Sequence, residues 1–575
     1  MQNIIVNYLE DCVGCNRCVR VCPVDEANCV RLQGDKSIKI EIDNSKCIVC
    51  GACLLACNHG ARHYKDDTKR FFSDLNSGVS ISMFAAPAVK SNFDEWGRLF
   101  TWLRSLGVQK IYDVSLGADI CTWAHIRYIQ KHGAKPIISQ PCPAIVNYIL
   151  MYRNELLKYL SPVHSPMLCT AIYMRKYEKI DSKIAGLSPC AAKTHEFEAT
   201  NFVDYNVTFK KLLKYIKKNN IALPMKSTEF DSYEAGLGSL YSMPGGLKEN
   251  VEHYVGKSLR VDKSEGQKVV YNALDEYAKY AKRHEAKLPV LFDVLNCSEG
   301  CNFGTGCVNE KDIFEVNAKM DALRQAAIKE NNLHYMDDLF KKFDETLRLE
   351  DFIRTYAPKP VHLMPISQEK MNNAFLALGK TNETSKKYNC GACGSDTCYE
   401  MARKIAKGLN VPENCTEKTH EDVKKECKKA ETISAGNLES FETIFKEIAD
   451  IKEMMQGMVS NVDDITAAIS SYDNMVTDIE RISEKVSIIS LNASIEATKA
   501  GQHGKAFDVV AKEIRNLAQN SADSAMKTKK AAEKANNAIK AVNETVVEVN
   551  KHVTRSYDNI LVASDKTKKI IGGDA

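Results

Sequence analysis

The sequence predicts a multidomain chain: a cysteine-rich module, a large α/β domain, a second small cysteine domain and a long antiparallel helical coiled-coil hairpin. Three observations predict it. The 21 cysteines of the 575 residues are grouped in spaced runs, and none follows Cys427. Between about residues 70 and 370, short apolar runs alternate with helical patterns, as in an α/β domain. From Phe441 onward the apolar residues recur in heptads, and the last proline is already past, at Pro412. The boundaries expected are 1–66, 67–375, 376–430 and 431–575.

Composition bounds the function. A net charge of +4 and a pI near 8.1 are too mild for a nucleic-acid or anionic-membrane partner. The most apolar stretches, such as "ISMFAAPAV" and "LPVLFDVL", are far shorter than a membrane span. The first residues have no basic start and no signal-type apolar core, so a cytoplasmic protein is expected. In such a chain, many cysteines point to metals or redox chemistry rather than disulfides.

The first module carries the spacing C-x2-C-x2-C-x3-C twice. Cys12, Cys15, Cys18 and Cys22 form one run, and Cys47, Cys50, Cys53 and Cys57 the other. In this pattern the fourth cysteine serves the other cluster. One 4Fe–4S set is therefore Cys12, Cys15, Cys18 and Cys57; the other is Cys47, Cys50, Cys53 and Cys22. A pair of zinc knuckles is the competing reading. The module resembles a bacterial two-cluster ferredoxin, although Asn58 stands where the second run would have proline. Cys29 lies outside both runs and reads as a buried thiol.

In the α/β region, "GVSISMFAAPAV" and "KLPVLFDVL" read as buried strands, and "DEWGRLFTWLRSLG" as an amphipathic helix closed by Gly107. Three loops stand out: "QPCPAI" with Cys142, "LSPCAAKTHEFE" with Cys190, and "NCSEGCNFGTGC" with Cys297 and Cys301. Spacing alone does not gather four thiolates spread over about 160 residues. However, these loops behind a two-cluster module resemble the H-cluster domain of iron–iron hydrogenases. "IYDVSLGADI", "LSPVHSPM" and "YSMPGGLKENVEHY" agree with it, and the resemblance covers roughly residues 1–365.

The resemblance implies that Cys142, Cys190, Cys297 and Cys301 hold a 4Fe–4S cluster. Cys301 would bridge to a diiron unit carrying CO, cyanide and a dithiolate amine. Lys193 would donate to a cyanide, and Glu196 falls on the family's second-loop glutamate. The substrates implied are hydrogen and protons, with a redox partner such as ferredoxin.

The departures concern protons. Pro141 stands where the family has a proton-donating thiol, and His125 and Tyr128 where it has carboxylates. Ser188 replaces a methionine that packs on the diiron unit, and "GTGC" adds Cys307. Positioned proton transfer contributes about 10²–10⁴-fold to rate, so slow turnover is expected. Cys169, in "SPMLCT", reads either as a substitute donor or as a packed core thiol. Cys121 and Cys307 read as packed thiols, and His164 as structural.

Residues 390–415 give C-x2-C-x4-C-x16-C, with Cys390, Cys393, Cys398 and Cys415. This resembles a small 4Fe–4S domain of redox and sensory proteins, with zinc as the competing metal. It would bring the clusters beyond the H-cluster to three. "YEMARKIAKGL" reads as a helix stopped by Gly408.

In the last region, Phe441, Ile448, Met455, Val462, Ile469 and Val476 form one row, with Ile444, Ile451, Met458, Ile465, Tyr472 and Ile479 beside it. The pattern resumes through Ala518, Ala525, Ala532, Ile539 and Val546, so the chain is expected to fold back at "AGQHG" into arms of about 60 residues, roughly 90 Å each. "ISLNASIEATKAGQHGKAFDVVAKEIRNLAQNSA" resembles the signalling tip of methyl-accepting chemotaxis proteins. That family's hairpin dimerises, and its tip binds the chemotaxis histidine kinase and its coupling protein. The matching positions are Ile488, Ile489, Leu491, Asn492, Glu496, Lys499, Phe507 and Val509. Lys499, Gln502 and Glu484 depart from the usual residues.

Three functions fit these features. One is a cytoplasmic hydrogen sensor with a slow hydrogenase site that signals through the hairpin. The others are a working hydrogenase with a structural coil, and a sensor of redox state or carbon monoxide using the same cofactor. The joining of active-site domain and signalling tip, with the proton thiol lost, favours the first.

Overall fold

The computed structural model describes residues 3–24, 26–35, 37–232, 236–256, 259–308, 312–330, 333–362 and 365–572. The chain divides into two compact units, Met1–Thr419 and His420–Ala575.

Two parallel sheets organise the first unit. In one, the strands run in the order Val108–Asp113, Ile81–Ala85, Lys183–Ser188, Tyr205–Thr208. In the other they run Val261–Glu265, Leu291–Leu295, Ile137–Ile138. The two apolar runs expected as strands are Ile81–Ala85 and Leu291–Leu295, and every residue of both is buried. A parallel strand covered by helices on both faces is buried throughout and mostly apolar; Ser82 and Asp293 are the polar residues of these two. Phe71, Phe84, Phe100, Tyr205, Phe209 and Phe352 are among the largest fully buried side chains, each contributing about 1.5–3 kcal/mol by leaving water. The expected amphipathic helix spans Trp96–Ser105.

The N-terminal module repeats one local design. Each cysteine run passes through a left-handed residue, Asn16 or Gly51, into a short helix, Arg17–Arg20 or Ala52–Ala56. Two antiparallel pairs, Ile5–Asn7 with Arg62–Tyr64 and Asn28–Leu32 with Ile38–Ile42, complete it. The second run packs tightly on the α/β domain: a Cβ on Gly51 would lie 2.0 Å from Cγ2 of Thr305.

Helices Gln368–Ala377 and Cys398–Ala406 form the third module around Met371, Phe375, Leu378 and Met401. It docks on the first module. The Val30 amide donates to the Leu409 carbonyl at 2.9 Å, and Arg31 and Arg20 donate to the carbonyls of Gly408 and Ala392 at 2.7 and 2.6 Å. The Glu26 carboxylate, with no exposed side-chain surface, pairs with Lys46 at 2.8 Å and with Lys407.

The second unit is built from long helices. One spans Thr416–Lys499, starting well before the boundary expected at 431, and the other Lys505–Gly572; the turn Gly501–Gly504 joins them. The turn falls where the glycines place it. Phe445 lies 5.1 Å from Tyr557, and Ser494 donates to Asp508, so the helices touch both near the turn and far from it. Among the described residues, no helix is long and apolar enough to cross a membrane.

Candidate functional site

The parallel sheets decide where the site lies. In open parallel sheets, ligands bind beyond the carboxyl ends of the strands. Ile81–Ala85 runs into Ala86-Pro87-Ala88, Lys183–Ser188 into Pro189 and Cys190, Ile137–Ile138 into the Pro141-Cys142 loop, and Leu291–Leu295 into Asn296 and Cys297. All of these loops line one cavity. Cys142, Cys190, Cys297, Cys301 and Lys193 stand on its wall together. The parallel topology thus gathers thiols that sequence spacing left scattered.

Local structure aims each group. Cys142 is the N-cap of the helix Pro143–Tyr152, whose positive end favours an anionic ligand set. Gly300, at φ +70°, turns the chain into Cys301; a Cβ there would meet the Ser242 carbonyl at 2.4 Å. Lys193 is buried at the start of the helix Lys193–Thr200. Its Nζ donates to Glu196 Oε2 at 2.5 Å, to the Pro141 carbonyl at 3.1 Å and to Ser165 Oγ at 3.2 Å. Glu196 is thus the buried anionic partner of Lys193. Burial pushes the thiol of Cys301 up to about 12 and that of Cys190 to about 11, so metal binding must displace their protons.

The cavity wall also includes Val49 and Cys50 of the N-terminal module. Asn296, next to Cys297, donates to the Cys50 carbonyl at 2.9 Å. The run of Cys47, Cys50 and Cys53 therefore abuts the cavity. Burial raises Cys47 to about 12, and raises Cys53 and Cys22 as well. Arg62 donates to Cys18 Sγ at 3.2 Å within the other set, beside Cys12, Cys15 and Cys57. Cys390, Cys393, Cys398 and Cys415 line a second, small cavity. All 21 cysteines are free. Among the described residues, no three His, Cys, Asp or Glu side chains lie close enough to hold a single metal ion. The donor set at the main cavity, four soft thiols and a buried ammonium, fits an iron–sulfur cluster with an anionic ligand beside it.

The remaining site residues lie off this wall. Cys169 is fully buried and donates to the His164 carbonyl at 3.3 Å. Cys307 donates to the Cys301 carbonyl at 3.2 Å, and Cys29 is buried in its module. His125 is buried, whereas Tyr128 stacks on His132. Ser188 bonds Asn206 and the Cys190 carbonyl. Sequence reasoning missed Tyr241, which lines the cavity, and the Glu26–Lys407 ion pair that joins the third module to the first.

Several families and relatives match parts of this chain. A family described as iron only hydrogenase large subunit, C-terminal domain, matches residues 79–305, and a methyl-accepting chemotaxis protein signalling domain matches residues 452–573. A 4Fe-4S dicluster domain matches residues 4–68, and an Fe-S cluster family residues 387–417. Iron hydrogenase 1 of Clostridium pasteurianum is 24% identical over 430 residues, covering 57% of this chain and 74% of that one. Methyl-accepting chemotaxis protein McpA of Bacillus subtilis is 38% identical over 82 residues, 14% of this chain and 11% of its own length. The match thus spans about a tenth of that chemotaxis protein. A solved variant of the [FeFe]-hydrogenase HydA1 from Chlamydomonas reinhardtii is 17% identical, covering 52% of this chain and all of its own, with a TM-score of 0.39. The chain therefore carries an iron-only hydrogenase large-subunit domain, preceded by a 4Fe-4S dicluster domain, and a methyl-accepting chemotaxis protein signalling domain.

Proposed function

We propose that this chain is a hydrogen sensor: a slow hydrogenase site, H2 = 2 H+ + 2 e−, coupled to a chemotaxis histidine kinase. The observation that carries this is the cavity itself. It keeps four cysteines and Lys193 on one wall while Pro141 offers no proton, and it belongs to a chain that also carries a signalling domain. In our reading, Cys142, Cys190, Cys297 and Cys301 hold the H-cluster, and Lys193 steadies its anionic ligand. Bound there, the cluster supplies the site for hydrogen; the protein supplies orientation, a water-poor wall and the proton groups. The Cys12, Cys47 and Cys390 sets hold three further 4Fe–4S clusters. The modules are 1–66, 67–375, 376–430 and 431–575.

The signalling unit works, on this reading, as an antiparallel coiled-coil hairpin that pairs with a second copy. Ile448, Met455, Val462, Val476 and Ala497 are buried at spacings that are multiples of seven, as are Ala511, Ala518, Ala525 and Val546. The neighbouring row, Ile451, Met458, Ile465, Tyr472 and Ile479, stays exposed in the single chain. An apolar stripe of that length needs a partner. Near the turn, Ile488, Ile489, Leu491, Phe507 and Val509 are exposed beside Asn492, Glu496 and Lys499, a surface suited to the kinase and coupling protein.

The test is a reconstituted complex of matured protein, coupling protein and kinase. Kinase activity should differ between hydrogen and argon, and a chain ending near residue 430 should not pull the kinase down. Binding with equal activity under both gases would refute hydrogen as the signal. Turnover as fast as that of the paired-cysteine hydrogenases would instead favour a working enzyme with a structural coil.

A further inference from the structure

The two cysteine runs of the N-terminal module share one local design but not one electrostatic setting. Arg62, the first residue of the strand Arg62–Tyr64, is 7% exposed. Its Nη2 donates to Cys18 Sγ at 3.2 Å and to Asn28 Oδ1 at 2.9 Å. Its Nη1 is buried with no hydrogen-bond partner. Among the described residues, no carboxylate accepts from this guanidinium. A buried cation left without an anion is strongly disfavoured. The anion that fits here is the one held by Cys12, Cys15, Cys18 and Cys57. Lys39 brings a second cation to the same set, donating to the Cys12 carbonyl at 2.7 Å.

The other run is set differently. Lys46, beside Cys47 in the chain, is committed to Glu26 at 2.8 Å and Asp43 at 3.7 Å. Cys47 Sγ accepts from a neutral donor, the Val49 amide, at 3.4 Å. Cys50 and Cys53 are buried, whereas Cys15 of the first set is exposed. The potential of a 4Fe–4S cluster follows its net charge, the hydrogen bonds to its sulfurs and its exposure to solvent. All three differences favour an added electron at the Cys12 set. A bond from a charged donor is about twice as strong as one from a neutral donor, and it strengthens as the sulfur gains negative charge. The charge of Arg62 is felt at Cys53 as well, but its bond to sulfur goes to Cys18.

We propose that Arg62 makes the Cys12 set the electron-holding end of the module, drawing each electron away from the cavity. This rests on the cluster sets proposed above. The step is a one-electron transfer. The cluster of the Cys47 set, which abuts the cavity, is oxidised by one electron, and that of the Cys12 set is reduced by one. No proton has to move, because Arg62 already carries the compensating charge. Cys18 lies in the helix Arg17–Arg20, and Arg20 donates to the Ala392 carbonyl, between Cys390 and Cys393, at 2.6 Å. The electron is thus held next to the module that leads into the helix Thr416–Lys499.

The test uses the full chain, reconstituted anaerobically without maturation and reduced chemically, so that it does not depend on the hydrogen site. A redox titration followed by electron paramagnetic resonance should show the Cys12 set reduced before the Cys47 set. The preference should be about tenfold or more in the electron equilibrium, about 59 mV. Cys15→Ser identifies the Cys12 wave by moving it alone. Arg62→Gln should weaken electron uptake at that wave about tenfold, again about 59 mV downward, and at the Cys47 wave about twofold or less. Arg62→Lys should recover part of the shift, since it returns the charge without the planar fork; a role in packing alone would leave it no better than Arg62→Gln. An unmoved Cys12 wave in a fully loaded Arg62→Gln chain overturns the role of Arg62. A wild-type chain in which the Cys47 set is reduced first overturns the proposal, even where Arg62→Gln fails to load. A wild-type chain about eight irons short of the roughly sixteen expected overturns the cluster sets and this proposal together.

Discussion

Replacing Glu26 by alanine should release the third module from the first. Its carboxylate has no exposed surface and is shared by Lys46, 18% exposed, and Lys407, 6% exposed. Removing one partner of a buried ion pair costs about 3–5 kcal/mol, because the remaining charge stays buried and unpaired. Lys46 can turn to water, so the loss lies near the lower figure, about 3 kcal/mol, or roughly a hundredfold in the docking equilibrium. The Val30 amide reports this directly, since it is bonded across the junction to Leu409. Hydrogen exchange in the full chain should show its protection fall about a hundredfold in Glu26→Ala. Phe84, central in the four-stranded sheet, should be unchanged. Lowering the pH should mimic the substitution. Burial raises the Glu26 carboxyl, but the hydrogen bonds of Lys407 and Lys46 outweigh it and leave it below the ordinary glutamate range. Its contribution is therefore complete above the unfolded value of about 4.3 and is lost as pH falls through the lower folded value. Unchanged Val30 protection in a folded Glu26→Ala protein would refute the reasoning.

Anaerobic reconstitution without maturation should load about sixteen irons per chain, falling to about twelve when Cys390 is replaced by serine; zinc in that set would identify the competing metal. Gly51→Val places a branched side chain at φ +76° against Thr305, so it should cost about 1–3 kcal/mol and loosen the Cys47 set, read as earlier cluster loss on heating. In the signalling unit, Val476→Asp should melt helix by circular dichroism, because Val476 is 2% exposed. Ile465→Glu, at an exposed position, should keep the helix and abolish the dimer in sedimentation.

Features with a short period or fixed spacing were legible in the sequence. The cysteine runs, the two fully buried strands, the heptad row that becomes buried and the turn at Gly501–Gly504 all follow from local pattern. Features that depend on topology were not. The Cys142, Cys190 and Cys297 loops converge because their strands run parallel and end on the same side. Glu26 and Lys407 are 381 residues apart, and no pattern links them. The helix Val114–His132 was hard to read for another reason: every residue from Val114 to Ile126 is buried, so it has no polar face. Cys169, the thiol that drew attention in the sequence, is buried with its thiol on the His164 carbonyl and is not on the cavity wall.

Pro141 keeps one part of its position's work and discards another. Its carbonyl still receives Lys193 at 3.1 Å, so the loop that carries Cys142 remains tied to the cation beside it. That bond needs only backbone, and proline supplies it. A side-chain proton serves turnover instead. On the sensory reading the two demands separate. Moving a two-state signal from 1:99 to 99:1 takes about 5.5 kcal/mol of differential binding, whatever the rate of turnover. A fast proton path adds nothing to that difference and shortens the time the signalling state persists.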